Sequence, residues 1–295
     1  MSPRAWILFA AVSVVWGVPY FFIKVAVDAD VPPAFVAWSR IALGAALLLP
    51  LAVHRDALRG LSDRWRPIAA YAATEIAVPF TLIAIGEQHV SSSLTAILIA
   101  SMPLAMAAMS VRFSPEDRPT GLRLLGLFVG LGGVVALMGI DVAGKSDELL
   151  GATLVLVAML GYAAAPIVVR RRLADLDPLG PIAVSLGASS LLLLPAAIVA
   201  PPDGAPSLDA LASLAVLGVV CTALGLFIFF SLIAEAGPNR ASVVTYFNPL
   251  VAVLLGVLVL EERLGAASVA GLALILAGSW LATGGAVRAR RRAAA

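Results

Sequence analysis

The sequence predicts an all-α polytopic membrane protein of ten transmembrane helices in a 5+5 inverted repeat. Three observations predict it: a composition starved of charge, ten apolar runs of membrane-crossing length, and an internal repeat at about half the chain length. Of the 295 residues, 61% are hydrophobic and 13% charged, and mean hydropathy is +1.01. An ordinary globular chain is about 25% charged because a wet surface needs solvating groups. Halving that fraction leaves a surface that faces lipid, which excludes the water-soluble classes. The net charge of +2 does not mark a nucleic-acid binder, since the arginines sit in short loops and at the C-terminus. The single cysteine, Cys221, lies in an apolar run, so no internal disulfide framework exists.

A helix needs roughly 20 apolar residues to cross the hydrocarbon core. Runs of that length fall at 4–27, 33–53, 66–87, 91–112, 120–140, 148–170, 178–200, 207–234, 239–260 and 265–286. The first is read as a helix rather than a signal peptide. It is preceded by Arg4 alone, is too long for a signal core, and ends at Lys24 without an Ala-x-Ala site. Basic residues near a span are retained in the cytoplasm. Sixteen fall on one side, from Arg4 through the Arg170–Arg172 triplet to Arg288–Arg292, against Lys145 and Arg263 opposite. Both termini are therefore expected in the cytoplasm of a bacterial cell with the chain in its inner membrane, which also requires an even number of spans.

A shift of 146 residues lays Ser101-Met102-Pro103-Leu104 on Phe247-Asn248-Pro249-Leu250, Glu116 on Glu262 and Gly132 on Gly278, and a shift of 144 lays Gly17 on Gly161. The expected units are residues 1–146 and 147–295, within one membrane domain. Five spans per unit is an odd number, so the second unit inserts upside down relative to the first, an architecture typical of transporters.

Charges and prolines within spans nominate the site. An ionised group at the bilayer centre costs about 2.5–3.5 kcal/mol or more, so it persists only with a partner, water or a task. Glu75, well inside the third span, is the foremost candidate to accept a proton or bind an amine; the alternative is a structural acid bonded between helices. Lys24 lies one turn beyond Tyr20 and two beyond Trp16, facing a cavity mouth or snorkelling to headgroups. Arg40 in the second span is a candidate for a carboxylate, or ties helix ends together. Proline deletes an N–H and releases the carbonyl four residues earlier, which lipid cannot satisfy. Pro103 and Pro249 do this at equivalent repeat positions, with Ser101, Tyr246 and Asn248 beside them; Pro79 is expected to act likewise in the third span.

Trp16-Gly17, Arg40, the Pro-Leu pairs at 103 and 249, and Leu260-Glu261-Glu262-Arg263-Leu264 before a glycine-bearing last span carry a family resemblance over nearly the whole chain. The sequence resembles the drug/metabolite transporter superfamily, EamA type, and within it the YddG-like amino acid exporters. The resemblance implies a central cavity lined by spans 1, 3, 4, 6, 8 and 9, with 5 and 10 outside. Many relatives carry a tryptophan where this chain has Gly161-Tyr162.

The expected function is secondary export of small metabolites by alternating access, amino acids or other amphipathic zwitterions foremost. Glu75 and Lys24 or Arg40 would engage opposite ends of the substrate, and Trp16, Tyr20, Tyr162 and Tyr246 its side chain. The expected partners are that small molecule, membrane lipid and a coupling proton, without nucleic acid or cofactor. Efflux of organic cations is the alternative; a membrane-embedded enzyme or a scaffold is a different class. Catalytic motifs are absent from the spans. Gly139 to Ser146 fits the phosphate-binding pattern G-x-x-x-x-G-K-[ST], but it links two spans on the side away from ATP, with no preceding sheet. His54 and His89 have no metal-ligand spacing. Gly126 and Gly130 form a close-packing pair, expected to act within the chain. Glu116 and Glu262, at equivalent span ends, are candidates for caps or for a gating pair.

Overall fold

The protein is seen in a computed structural model that describes residues 1–113, 119–139, 145–237 and 241–283. Eight helices are long and apolar enough to cross a membrane: α1 Pro3–Asp28, α2 Pro33–His54, α3 Ser62–Gly86, α4 Ser92–Arg112, α6 Ser146–Arg172, α7 Leu179–Val199, α8 Leu208–Ala236 and α9 Ser242–Val259. Two shorter apolar helices, α5 Leu122–Leu137 and α10 Ala266–Ala282, complete the ten. Their starts and stops follow the expected spans within a few residues, because caps and prolines mark them. Ser91 and Ser207 accept the N–H groups of Leu94 and Ala210 at the starts of α4 and α8, and prolines occupy the first positions of α1 and α2. The hydrophobic surface stays outside the bundle: Leu191, Leu192, Val199 and Leu258 are each about 70% exposed or more.

The packing pairs carry the repeat. Helices α2 with α7, α4 with α9 and α5 with α10 each lie against their own counterpart in the other half. The pair α3–α6 is matched by α8–α1, which is the same pair with the halves exchanged. Small residues allow these approaches. A Cβ on Gly278 of α10 would fall 2.5 Å from the Gly130 Cα and 2.7 Å from the Gly126 carbonyl oxygen of α5. The Gly126/Gly130 pair thus works within the chain, as expected. A Cβ on Gly151 of α6 would lie 2.8 Å from the Gly86 carbonyl oxygen, and one on Gly17 of α1 would lie 2.9 Å from the Asn248 carbonyl oxygen.

Five helices are interrupted among the described residues: α1 at Val18, ahead of Pro19, and four more in matched pairs. Helix α4 breaks at Ala100–Ser101, one residue before its proline-bearing second segment, and α9 begins as a 3₁₀ turn, Ser242–Tyr246, before the segment Asn248–Val259. Helices α3 and α8 each carry a wide π turn, Ala72–Ala77 and Val216–Leu224, which overlie one another under either repeat shift. In α3 the cause is Pro79, whose missing N–H would have bonded Glu75, while Val78 reaches back five residues to Ala73. In α8 the Thr222 hydroxyl inserts into the ladder, donating to the Leu217 carbonyl at 2.9 Å.

Candidate functional site

Arg40 enters the bundle from α2, is 8% exposed, and organises the site. Its Nε donates to the Thr222 hydroxyl at 3.0 Å, so the wide turn of α8 fixes one edge of the guanidinium. Its other support is the Phe80 ring of α3, with the guanidinium carbon 3.9 Å from the centroid. No carboxylate lies in ion-pair range of Arg40 among the described residues. Its charge is felt at Tyr20 of α1, Glu87 at the end of α3, Tyr162 of α6 and Cys221 of α8. A cation reaching four other helices stands at the centre of the bundle, with donor capacity left over.

Glu75 lies in the wide turn of α3, half-buried, beside Tyr71 and Tyr162. Tyr162 is the shared neighbour of Arg40, Tyr20 and Glu75. It comes this close because α6 has Gly161 there, where a Cβ would meet the Thr74 carbonyl oxygen at 2.6 Å and the Pro79 ring at 3.1 Å. The Arg40 guanidinium, the Glu75 carboxyl and the Tyr20 hydroxyl all act electrostatically on Tyr162. π turns recur at functional sites because the extra residue re-aims side chains and loosens carbonyls. Here one turn presents Glu75 and the other Thr222.

The remaining expected residues are distributed around this centre. Trp16 is bound to the α8 turn: its indole N–H donates to the Cys221 carbonyl at 3.2 Å and its ring lies 4.6 Å from Phe229. Lys24 sits at the arginine-poor end of the bundle, paired with Asp28 at 2.9 Å and donating to the Glu87 main-chain carbonyl at 3.0 Å. Pro79, Pro103 and Pro249 are buried. At the two breaks, Ser101 donates to the Leu98 carbonyl at 2.6 Å. Asn248, with its amide nitrogen turned toward the main chain, donates to the Val244 carbonyl at 3.0 Å and the Ser13 carbonyl at 3.3 Å. Leu98 and Val244 are equivalent under the 146-residue shift, so each half satisfies the same carbonyl with a different side chain. Tyr246 points to α10, bonding Ser279 and Thr283.

Phe80, Thr222 and Glu87 were not singled out in the sequence. Phe80 and Thr222 look like ordinary span residues, and only the approach of α2 gives them a role. Glu87 ends the third span in Gly86-Glu87-Gln88-His89, where an acidic residue reads as a solvated loop. Glu262 caps α4: its carboxylate accepts from the Ser92 N–H at 2.7 Å, the Ser92 hydroxyl at 2.9 Å and the Ser93 N–H at 3.0 Å. Glu116 lies outside the described residues, as do positions 140–144 of the phosphate-binding pattern.

Paired, interrupted membrane helices thus surround a buried cation and a half-buried carboxyl. The sequence matches the EamA-like transporter family twice, over residues 4–139 and 149–284, and the chain belongs to that family. It is 26% identical over 280 residues to an uncharacterized transporter of Bacillus subtilis, YoaV, covering 92% of this chain and 94% of YoaV. It is 28% identical over 256 residues to an uncharacterized inner membrane transporter of Escherichia coli, YedA, covering 83% and 79%. A solved crystal structure superposes with a TM-score of 0.68 at 18% identity, over 96% of this chain and 98% of the other, a likeness of fold.

Proposed function

We propose that this transporter exports a small amphipathic zwitterion, an amino acid foremost, across the bacterial inner membrane, with both termini in the cytoplasm. The observation that carries this reading is Arg40: a buried guanidinium held by Thr222 and Phe80, without a carboxylate partner among the described residues. An unneutralised cation in a low-dielectric interior is costly unless an anion arrives to pair with it. The substrate carboxylate fills that role, Glu75 takes the amine, and Tyr20 and Tyr162 line the space between. Units 1–146 and 147–295 exchange access by rocking about their shared contacts, and a proton on Glu75 is the coupling ion. The inner-membrane setting is supported by the likeness to YedA, and the orientation by the distribution of basic residues.

The test is a panel of labelled amino acids and organic cations in proteoliposomes, with parent, Arg40→Gln and Arg40→Lys. Charge-assisted hydrogen bonds contribute about 1.5–3 kcal/mol, so Arg40→Gln is expected to weaken apparent affinity for zwitterions roughly 10- to 150-fold, with Arg40→Lys between. Transport of organic cations with zwitterions excluded, and unaffected by Arg40→Gln, would replace this reading with cation efflux.

A further inference from the structure

At the arginine-poor end, Glu87 is completely buried, and neither of its carboxyl oxygens has a hydrogen-bond partner among the described residues. Lys24 is close, but its ammonium bonds the Glu87 main-chain carbonyl and the Asp28 carboxylate instead. Five residues after Glu87 in the chain, the N-terminus of α4 is clasped by Glu262 through Ser92 and Ser93, both of them also fully buried, and the Glu262 charge is felt at Glu87. Gly256 makes room for this clasp: a Cβ there would collide with the Glu262 carboxylate and the Ser93 hydroxyl. The Glu262 N–H returns to the Gly256 carbonyl at 3.0 Å, folding the end of α9 back over α4. Glu261 adopts φ 54° to make that reversal, in the left-handed region that favours glycine. The α3–α4–α9 corner is thus shut, with an orphaned carboxyl sealed behind it.

An ionised carboxylate without partners in such a place costs several kcal/mol, whereas a proton removes the charge. The charged and titratable groups that face Glu87 are Lys24, Asp28 and Tyr20 on α1, Arg40 on α2 and Glu262 after α9. Two cations and two other carboxylates do not supply a dedicated counter-ion, since Lys24 is committed to Asp28 and Arg40 to the central site.

We infer that Glu87 is a proton-binding site at the arginine-poor mouth, and that protonation of Glu87 lets the Glu262 clasp close that mouth. The inference rests on the transport reading above but not on the choice of substrate. When the clasp lifts, water reaches Glu87, the proton leaves to that side, and repulsion between the Glu87 and Glu262 carboxylates holds the mouth open. When Glu87 takes a proton from that side, it is buried again and α4 docks under Glu262. Glu87 is thereby a second carboxyl, separate from Glu75, that senses the pH of one compartment only.

Ser93→Cys in a Cys221→Ala background reports on the mouth, because residue 93 is fully buried when the clasp is closed. Labelling by a membrane-impermeant thiol reagent, followed in detergent without substrate, is expected to be slow at acid pH and at least tenfold faster once Glu87 ionises. Glu87→Gln should stay slow across the range. Lys24→Gln, which removes a cation that favours ionised Glu87, should move the midpoint of the labelling profile to higher pH. A parent labelling rate independent of pH, or a profile unchanged by Glu87→Gln and Lys24→Gln, would overturn the inference. Because no substrate is present, this outcome is separate from the fate of the amino acid assignment.

Discussion

In the proposed transport reading, Glu75 and Arg40 divide the work of the centre by chemistry. On that reading the guanidinium is the fixed anchor and the carboxyl the group that exchanges protons. Glu75→Gln keeps size and most hydrogen-bonding capacity while removing the exchange. It is expected to fold at parent yield but to lose the pH dependence of transport, with initial rates in proteoliposomes about tenfold lower or more; Glu75→Asp should retain part. A parent-like pH profile in Glu75→Gln would make the carboxyl structural. At this scale the sequence was legible where a charge stood inside an apolar run, because its cost in lipid singles it out; Glu75 and Arg40 were nominated that way, and the structure places Arg40 buried and Glu75 half-buried within the bundle. It was not legible where an ordinary residue gains a role from a neighbour distant in sequence. Thr222 matters because Arg40 lies 182 positions away in the chain and bonds to it. Trp16 is likewise tied across the sequence, its indole N–H bonded to a backbone carbonyl of α8 205 positions away.

Among elements, the spans were readable because length and hydropathy decide them, and the breaks because proline leaves a mark. The π turn of α8 had no such mark, since a threonine hydroxyl rather than a proline opens it. Helix contacts follow glycine, though not every glycine. Gly132 and Gly278 are equivalent in the repeat, yet a Cβ on Gly132 meets nothing within 4 Å, while one on Gly278 strikes the α5 backbone. Backbone atoms cannot give way as a side-chain tip does. Gly278→Ala is therefore expected to destabilise the α5–α10 pair by about 1–3 kcal/mol, as overpacking does, and Gly132→Ala to be neutral. Thermal unfolding in detergent checks this; equal losses in both variants would mean the seam is not set by close approach.

For the whole molecule, the basic residues predict sidedness. A phosphatase fusion near Lys145 should be active and one near Arg172 inactive, because the former loop lies at the arginine-poor end and the enzyme works only outside the cytoplasm; reversed activities would invert the orientation. The two family matches and the exchanged helix pairs agree with the repeat seen in the sequence. The matched π turns are a distortion at one register in both halves with a different cause in each, a proline in α3 and a threonine hydroxyl in α8. In a dimer of two identical five-helix copies every residue would occur twice, so a carboxyl placed in the turn of one copy would be forced on the other. A single chain carrying both halves is free of that constraint: under the 146-residue shift Glu75 falls opposite Cys221, whose carbonyl anchors Trp16. One turn can therefore hold a carboxyl while the other holds a helix-to-helix tie, an asymmetry closed to two identical copies.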